Sequence, residues 1–235
     1  CPNVKSIVNI TTDKCYENDG RSESYKEEDA MGGYDPYSSS KGCAELVTSS
    51  YRRSFLQEQG MGLASVRAGN VIGGGDWADD RLIPDILRSF EKNEPVVIRN
   101  PKATRPWQHV LEPLSGYLIL AQKLYEDQKE YAEGWNFGPN EKDVKPVDWI
   151  LNKMIAKWPN SSWELDSSSN PHEANFLQLD ISKAESKLGW KPIWELSHTL
   201  EKIIDWHQAW INKEDMQTVC LSEIKAYMAD MNNEV

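Results

Sequence analysis

A tyrosine and a lysine, Tyr37 and Lys41, are separated by three serines. In a helix this spacing places both side chains on one face. A tyrosine that acts as a base near neutral pH needs a pKa about three below its ordinary ~10, at a cost of roughly 4 kcal/mol. A neighbouring cation lowers that pKa because it favours the phenolate. The pair therefore has the chemistry required to take a proton from a hydroxyl group.

The spacing alone is weak evidence, because Tyr125 and Lys129 repeat it, and a solvated helix face is the commoner explanation. The sequence around the two pairs differs. Asp35 is suited to cap a helix that has Pro36 at its first position, so Tyr37 falls in a well-defined first turn. Tyr125 lies at the acidic end of a predicted helix. The context therefore favours the first pair for chemistry.

A second set of reactive side chains follows the short β-branched run at 6–11, which predicts a buried strand. The strand is followed by Thr12 and Asp13, about 25 residues before the tyrosine. Further motifs come in this order: Asn70-Val71-Ile72-Gly73, Arg81-Leu82-Ile83-Pro84, Arg105-Pro106-Trp107, Asn136-Phe137-Gly138-Pro139, His172-Glu173-Ala174, Ser182-Lys183-Ala184 and Leu188-Gly189-Trp190-Lys191-Pro192. Together they resemble the extended short-chain dehydrogenase/reductases, and within them the nucleotide-sugar 4,6-dehydratases of the branch acting on CDP-glucose.

The resemblance implies an NAD-dependent dehydration and a role for each residue. Tyr37 takes the proton of the sugar 4-hydroxyl while hydride leaves C4, and Lys41 holds the nicotinamide ribose and acidifies the phenol. Thr12 bonds the reacting 4-oxygen. Asp13 protonates the departing 6-hydroxyl as water is eliminated across C5 and C6, and the hydride returns to C6. Val71 is assigned to the cofactor side.

The position after Asp13 departs from the commoner pattern. The dehydratases that act on dTDP-glucose carry a glutamate there, which removes the C5 proton, whereas this chain has Lys14. A lysine is a base only when neutral, which requires desolvation or a nearby cation to lower its ordinary pKa of ~10.4. Two roles stay open: direct base, or stabilisation of the enolate while another group takes the proton.

Arginine placement points to a diphosphate ligand. Five of the eight arginines fall within 39 residues, and residues 60–110 carry a net +1 while the remainder carries −12. Arginine binds phosphate oxygens through two parallel hydrogen bonds. Arginines with no role beyond an ordinary protein surface would give the same composition. The resemblance assigns substrate contacts to Asn70, Arg81, Leu82, Arg99, Arg105, Asn136 and His172.

The three glycines at 73–75 do not form a phosphate-binding loop, since neither dinucleotide nor P-loop spacing is present. A flexible active-site turn is expected instead. Because no dinucleotide fingerprint occurs, alignment with the family starts this chain at about the fifth strand of the sheet. We therefore expect the strand at 6–11 to have one unpaired edge, and the chain alone neither to bind NAD nor to turn over.

The elements that position these residues alternate along the chain. Short strands are predicted near 6–11, 63–71, 96–98, 135–137 and 163–165, with helices near 36–59, 82–90, 114–124, 147–158 and 200–211. The alternation favours an α/β fold: a partial Rossmann-like parallel sheet, late strands only, with a smaller α/β substrate-binding domain. Residues 1–75 and 108–140 are assigned to the NAD-binding part, and 76–107 and 141–235 to the nucleotide-sugar part.

Composition excludes several other classes of protein. The 235 residues carry a net charge of −11, which disfavours binding to nucleic acid or to an anionic membrane. No apolar run approaches the ~18 residues of a membrane helix. The four cysteines and four histidines show no metal-ligand or disulfide spacing, so no metal is expected and a reducing cytoplasm is favoured.

Three functions remain in view. The first is a 4,6-dehydratase serving deoxysugar or O-antigen synthesis, as the resemblance implies. The second is a 4-epimerase of the same fold, although an epimerase needs no acid for a C6 leaving group. The third is a non-catalytic nucleotide-sugar-binding protein, which the intact set of reactive residues disfavours. The resemblance further implies a homodimer or higher homo-oligomer.

Overall fold

The computed structural model describes residues 3–166 and 177–233. Their helices and strands are β1 (Ser6–Ile10), α1 (Pro36–Tyr51), β2 (Gly62–Ala68), β3 (Val71–Ile72), α2 (Leu82–Lys92), β4 (Val96–Ile98), β5 (Thr104–Pro106), β6 (Gln108–His109), α3 (Leu111–Glu126), β7 (Gly134–Phe137), β8 (Val144–Pro146), α4 (Val147–Ile155), β9 (Trp163–Leu165), α5 (Ser182–Leu188), α6 (Leu196–Ile211) and α7 (Met216–Asn233). Short 3₁₀ turns cover Asp13–Cys15 and Glu141–Asp143, and a π-helical segment covers Arg52–Leu56.

These residues form two compact units. Unit 1 comprises 3–69, 112–138 and 177–192, and unit 2 comprises 70–111, 139–166 and 193–233. The boundaries differ most from those predicted at residues 177–192. These residues were assigned to the nucleotide-sugar part, but they lie in unit 1. The reason is apolar packing, because Ala184, Leu188 and Trp190 of this segment join the core formed by β2, α3 and β7.

Unit 1 is built on a parallel three-stranded sheet of order β1-β2-β7. Val8 pairs with Ala64, and Val66 with Trp135. Successive β2 side chains point to opposite faces, so Ala64 and Val66 pack with α3 while Ser65 contacts α1. The Rossmann-like parallel sheet is thus confirmed.

The edge strand β1 pairs only with β2 among the described residues. Its last residue, Ile10, is 61% exposed. The prediction of one unpaired edge is therefore confirmed. An apolar strand edge of this kind is a template for further pairing.

Helix α1 begins where its sequence predicts, but its buried face is not apolar. Small and polar residues face inward, namely Ser38, Gly42, Glu45 and Thr48. The apolar residues at helical spacing instead face solvent: Leu46, Val47, Tyr51 and Phe55 are all more than half exposed. The α-helix ends at Tyr51, and a π-helical turn carries the chain on to Leu56.

Unit 2 has its core between α2, α4 and α6. The buried side chains include Ile86 and Phe90 of α2, Ile150 and Met154 of α4, and Ile203 of α6. Three small strand pairs surround them: β3 with β6 and β4 with β9 in parallel, and β5 with β8 antiparallel.

The sequence predicts no helix beyond 200–211, but the structure has one. Helix α7 follows α6, with only Tyr227 buried, so its sequence lacks a broad apolar stripe. Helix α5 and strands β5, β6 and β8 were also not predicted. The helix has only seven residues, and these strands lack the β-branched run that marks β4. Within the described part of the chain, no helix has the length and apolar character needed to cross a membrane.

Candidate active site

The tyrosine and lysine of α1 lie together. The Nζ atom of Lys41 is 5.4 Å from the centre of the Tyr37 ring, within the range of a cation–π contact. The Tyr37 side chain is 56% exposed, and Lys41 is partly exposed. The phenol is therefore open to a ligand, with a cation beside its ring.

The first turn of α1 is fixed by its cap. Asp35 Oδ1 accepts hydrogen bonds from the backbone N–H groups of Tyr37 (2.9 Å) and Ser38 (3.0 Å). The Ser38 hydroxyl donates to the other Asp35 oxygen at 2.6 Å. This hydroxyl and the backbone donors hold the pKa of Asp35 below its ordinary value. Asp35 therefore stays charged at neutral pH. Its hydrogen bonds fix the backbone conformation of the turn that carries Tyr37.

The turn after β1 carries the second reactive group. The Thr12 hydroxyl donates to Asp13 Oδ1 at 2.9 Å and accepts from the backbone N–H of Lys14 at 3.4 Å. The Asp13 side chain is buried, whereas Lys14 is partly exposed. A Cβ atom at Gly69 would lie 2.1 Å from Asp13 Oδ2, so only glycine allows this approach.

A buried polar network lies beside that turn and corrects one prediction. Tyr16 Oη accepts from Arg67 Nη1 at 2.6 Å and donates to Asn136 Oδ1 at 2.7 Å. Burial raises the pKa of the Tyr16 phenol, which keeps it protonated as the donor. Asn136 is 0% exposed and its Nδ2 donates to the carbonyls of Tyr25 and Asp180. Asn136 is therefore held inside unit 1 and is withdrawn as a substrate contact.

Unit 2 contains a cavity of about 270 Å³. Four of the residues assigned to the substrate line it: Asn70, Leu82, Arg99 and Arg105. The Arg99 side chain is largely exposed, with Nε 3.9 Å from Asp166 Oδ2. Two guanidinium groups at the wall of one cavity suit an anionic ligand.

The remaining predicted residues have different positions. Arg81 is exposed and precedes the first residue of α2. Val71 is 37% exposed in β3. His172 lies outside the described residues.

Two arginines of the basic cluster are used within the protein. Arg67 is paired with Glu45 inside unit 1. Arg88 forms ion pairs with Asp85 and Asp79 in unit 2. The cluster available to a phosphate is therefore smaller than its composition indicates.

Several residues of the cavity wall have no role predicted from the sequence. Trp107 is buried in this wall, and its Nε1–H has no hydrogen-bond partner among the described residues. Its place in the Arg105-Pro106-Trp107 motif could have identified it. Asp80 and β4 also line the cavity, and no local pattern marks them.

The family to which this chain belongs is shown by known proteins of similar sequence. The sequence matches the family described as GDP-mannose 4,6 dehydratase over residues 2–203. It is 58% identical over 233 residues to CDP-glucose 4,6-dehydratase of Salmonella typhimurium (strain LT2), covering 97% of this chain and 65% of that protein. The chain thus spans slightly under two thirds of the length of this relative.

Solved structures share the fold. A dTDP-glucose 4,6-dehydratase from Bacillus anthracis, in complex with NAD, matches with a TM-score of 0.70 and 20% identity, over 88% of this chain and 62% of that one. A UDP-N-acetylglucosamine 4-epimerase from Methanobrevibacter ruminantium matches with a TM-score of 0.73 and 18% identity, over 88% and 64%. At these identities the likeness establishes the fold alone.

Proposed function

The chain belongs to the GDP-mannose 4,6-dehydratase family, and from this premise we propose that its protein is an NAD-dependent hydro-lyase that dehydrates CDP-glucose to CDP-4-keto-6-deoxyglucose. The observation that carries the proposal is the open Tyr37 phenol with the Lys41 ammonium against its ring. The 58% identity to the Salmonella enzyme supports CDP-glucose as the substrate.

The first step is assigned to unit 1. The positive charge of Lys41 stabilises the Tyr37 phenolate, which then accepts the proton of the sugar 4-hydroxyl and becomes the neutral phenol. Thr12 is proposed to donate its hydroxyl hydrogen to the 4-oxygen, which requires the hydroxyl to turn away from Asp13, toward which it is directed in this structure.

The side chains of Tyr37 and Lys41 are both accessible at the start of α1. They are therefore suited to bind the ribose of a nicotinamide cofactor. Val71 is proposed to contact the cofactor as well. NAD, when bound, supplies the hydride acceptor for C4 and the hydride donor for C6.

The elimination is assigned to the turn after β1. A 4-keto group acidifies the C5 proton, so that the 6-hydroxyl can leave as water once it is protonated. Asp13 is the proposed proton donor, and its burial beside Gly69 keeps water away from the carboxyl group. Lys14 is proposed to act at C5, either as the base or by stabilising the enolate.

Unit 2 is proposed to bind the nucleotide diphosphate. Arg99 and Arg105 reach the cavity with guanidinium groups that pair with phosphate oxygens, and Arg81 is a third candidate. Asn70 and Leu82 are assigned to the nucleotide sugar on the same wall.

We also propose that the protein is a cytoplasmic homodimer or higher homo-oligomer. The exposed apolar face of α1, with its neighbouring Tyr51 and Phe55 rings, supports contact with a second copy. Sedimentation of wild type against Tyr51→Glu checks this, and an unchanged mass would contradict it.

The test of function is incubation of the whole protein with CDP-glucose and NAD. We expect a CDP-4-keto-6-deoxyhexose, seen by mass spectrometry as the loss of one water. A 4-epimerase would give an isomer of unchanged mass, and a binding protein would leave the substrate intact. Either result overturns the proposal. The Asp13-Lys14 pair already favours dehydration, because epimerisation involves no C6 leaving group.

A further inference from the structure

The segment 70–80 begins and ends at residues that line the unit 2 cavity, Asn70 and Asp80. Both have left-handed backbone conformations, with φ of +49° and +57°. Asparagine and aspartate adopt this conformation more readily than other non-glycine residues. The intervening residues 73–79, here called the tryptophan loop, contact α6 and α2.

One anchor of the tryptophan loop is aromatic. The Trp77 ring centre is 4.5 Å from that of Trp210 and 6.3 Å from that of Trp206, both on α6. A His207 ring lies 5.6 Å away. A Cβ atom at Gly74 would lie 2.3 Å from the Trp206 ring, so the backbone rests directly on α6. The loop is therefore packed against the helix at two points.

The second anchor is Arg88 of α2. Its Nη1 donates to the Trp77 carbonyl and its Nη2 to the Ala78 carbonyl, both at 3.2 Å. The same guanidinium pairs with Asp85, which lines the cavity. One side chain thus connects the loop backbone to the cavity wall.

We propose that Trp77 and Arg88 are positioning residues for the nucleotide-sugar cavity: they hold the tryptophan loop in the conformation that places Asn70 and Asp80 on the wall. Neither residue lines the cavity, so neither is assigned contact with the ligand. The inference rests on the proposed function of unit 2. It also explains why nearly half of the Trp77 side chain is left exposed, since the ring packs on one side only.

The test is calorimetric titration of CDP and CDP-glucose into the whole protein. Trp77→Ala is expected to raise both dissociation constants about tenfold, because only about a tenth of the molecules would then hold the competent loop conformation. Trp210→Ala acts on the same contact from α6 and should have a similar effect. The double variant should be no worse than either single one, since a shared contact is lost only once.

Controls separate positioning from general destabilisation. Trp149→Ala removes another partly exposed tryptophan of unit 2, whose ring contacts Lys145 and Lys153, and should leave the dissociation constants unchanged. Trp77→Phe keeps a ring on α6 and should recover most of the affinity. Trp77→Phe also tests the proposal if Trp77→Ala does not fold. Arg88→Lys keeps the charge but not the forked contact with two carbonyls, and should weaken binding.

Steady-state kinetics of the same variants should show different effects on KM and on kcat. Loss of positioning raises KM for CDP-glucose with little change in kcat, whereas a purely structural role lowers the melting temperature without changing either constant in the folded protein. If wild type binds CDP-glucose and all loop variants bind equally well, the positioning inference is wrong. If wild type binds neither nucleotide, the proposed function itself is wrong.

Discussion

Arg67 of the central strand meets Glu45 of α1 through two parallel hydrogen bonds. Nε to Oε1 and Nη2 to Oε2 are both 3.0 Å, and each side chain is only 3% exposed. Glu45 lies one helical turn beyond Lys41, so this pair fixes the helix that carries the proposed base to the sheet. A bidentate, fully buried pair of this kind sets the position of α1 more sharply than apolar packing alone.

Breaking the pair from one side should be severe. Arg67→Met leaves the Glu45 carboxylate buried without its cation and should lower the free energy of unfolding by about 3–5 kcal/mol. The double variant Arg67→Met/Glu45→Leu removes both charges and should recover much of that loss. Urea unfolding measures both. Equal stability of Arg67→Met and wild type would contradict the role given to the pair.

The pair should also make stability depend on pH. Burial alone would raise the pKa of Glu45, but hydrogen bonds and charge from Arg67 outweigh it and lower the pKa below its ordinary 4.5. A carboxyl whose pKa is lowered on folding stabilises the protein above its unfolded pKa, and this contribution is lost as the pH falls through the folded value. The wild type should therefore lose its advantage over Arg67→Met/Glu45→Leu only below pH 4.5. Urea midpoints from pH 7 downward test this, and a constant difference would be evidence against it.

Gly69→Ala should damage the proposed acid. Its Cβ would lie 2.1 Å from Asp13 Oδ2, so the carboxyl group must move, and a displacement of about 1 Å costs roughly 100-fold in rate. Product formation from CDP-glucose is the measurement. Gly138→Ala is the matched control, since nothing lies nearer than 3.5 Å to its new Cβ. Unchanged turnover by Gly69→Ala would remove Asp13 from the mechanism.

Tyr37→Phe should abolish turnover, because the phenol oxygen is the proposed proton acceptor. The loss should be at least about 100-fold, while CDP binding to unit 2 stays as in wild type. Tyr125→Phe is the control: this tyrosine is equally exposed and also has a lysine four residues on, yet its removal should change nothing. Activity that survives in Tyr37→Phe would rule out the assigned base.

Arg105→Ala should weaken binding of CDP-glucose and spare that of NAD. A charge-assisted hydrogen bond is worth about 1.5–3 kcal/mol, which corresponds to a loss of about 10- to 100-fold in affinity for the nucleotide sugar. Separate titrations of CDP-glucose and NAD measure the two effects. Arg53→Ala is a control outside unit 2. An equal loss of affinity for both ligands would show that Arg105 does not bind the diphosphate of the sugar nucleotide.

Features that depend on near neighbours in the chain could be predicted from residue types. The cap at Asp35 and the four-residue spacing of Tyr37 and Lys41 are properties of one helical turn, so residue types were sufficient to predict them. The parallel strands followed in the same way from short β-branched runs between helices.

Which polar residues face the site depends on contacts between segments that are distant in the chain. Asn136 meets Tyr16 across 120 residues of sequence, and no local pattern records that its amide is used inside unit 1. Arg67 looked equivalent to Arg99 and Arg105 in composition, yet Arg67 is buried against Glu45 while the other two line a cavity. Burial and charge pairing arise from contacts between distant segments, so they become fixed only when the chain has folded.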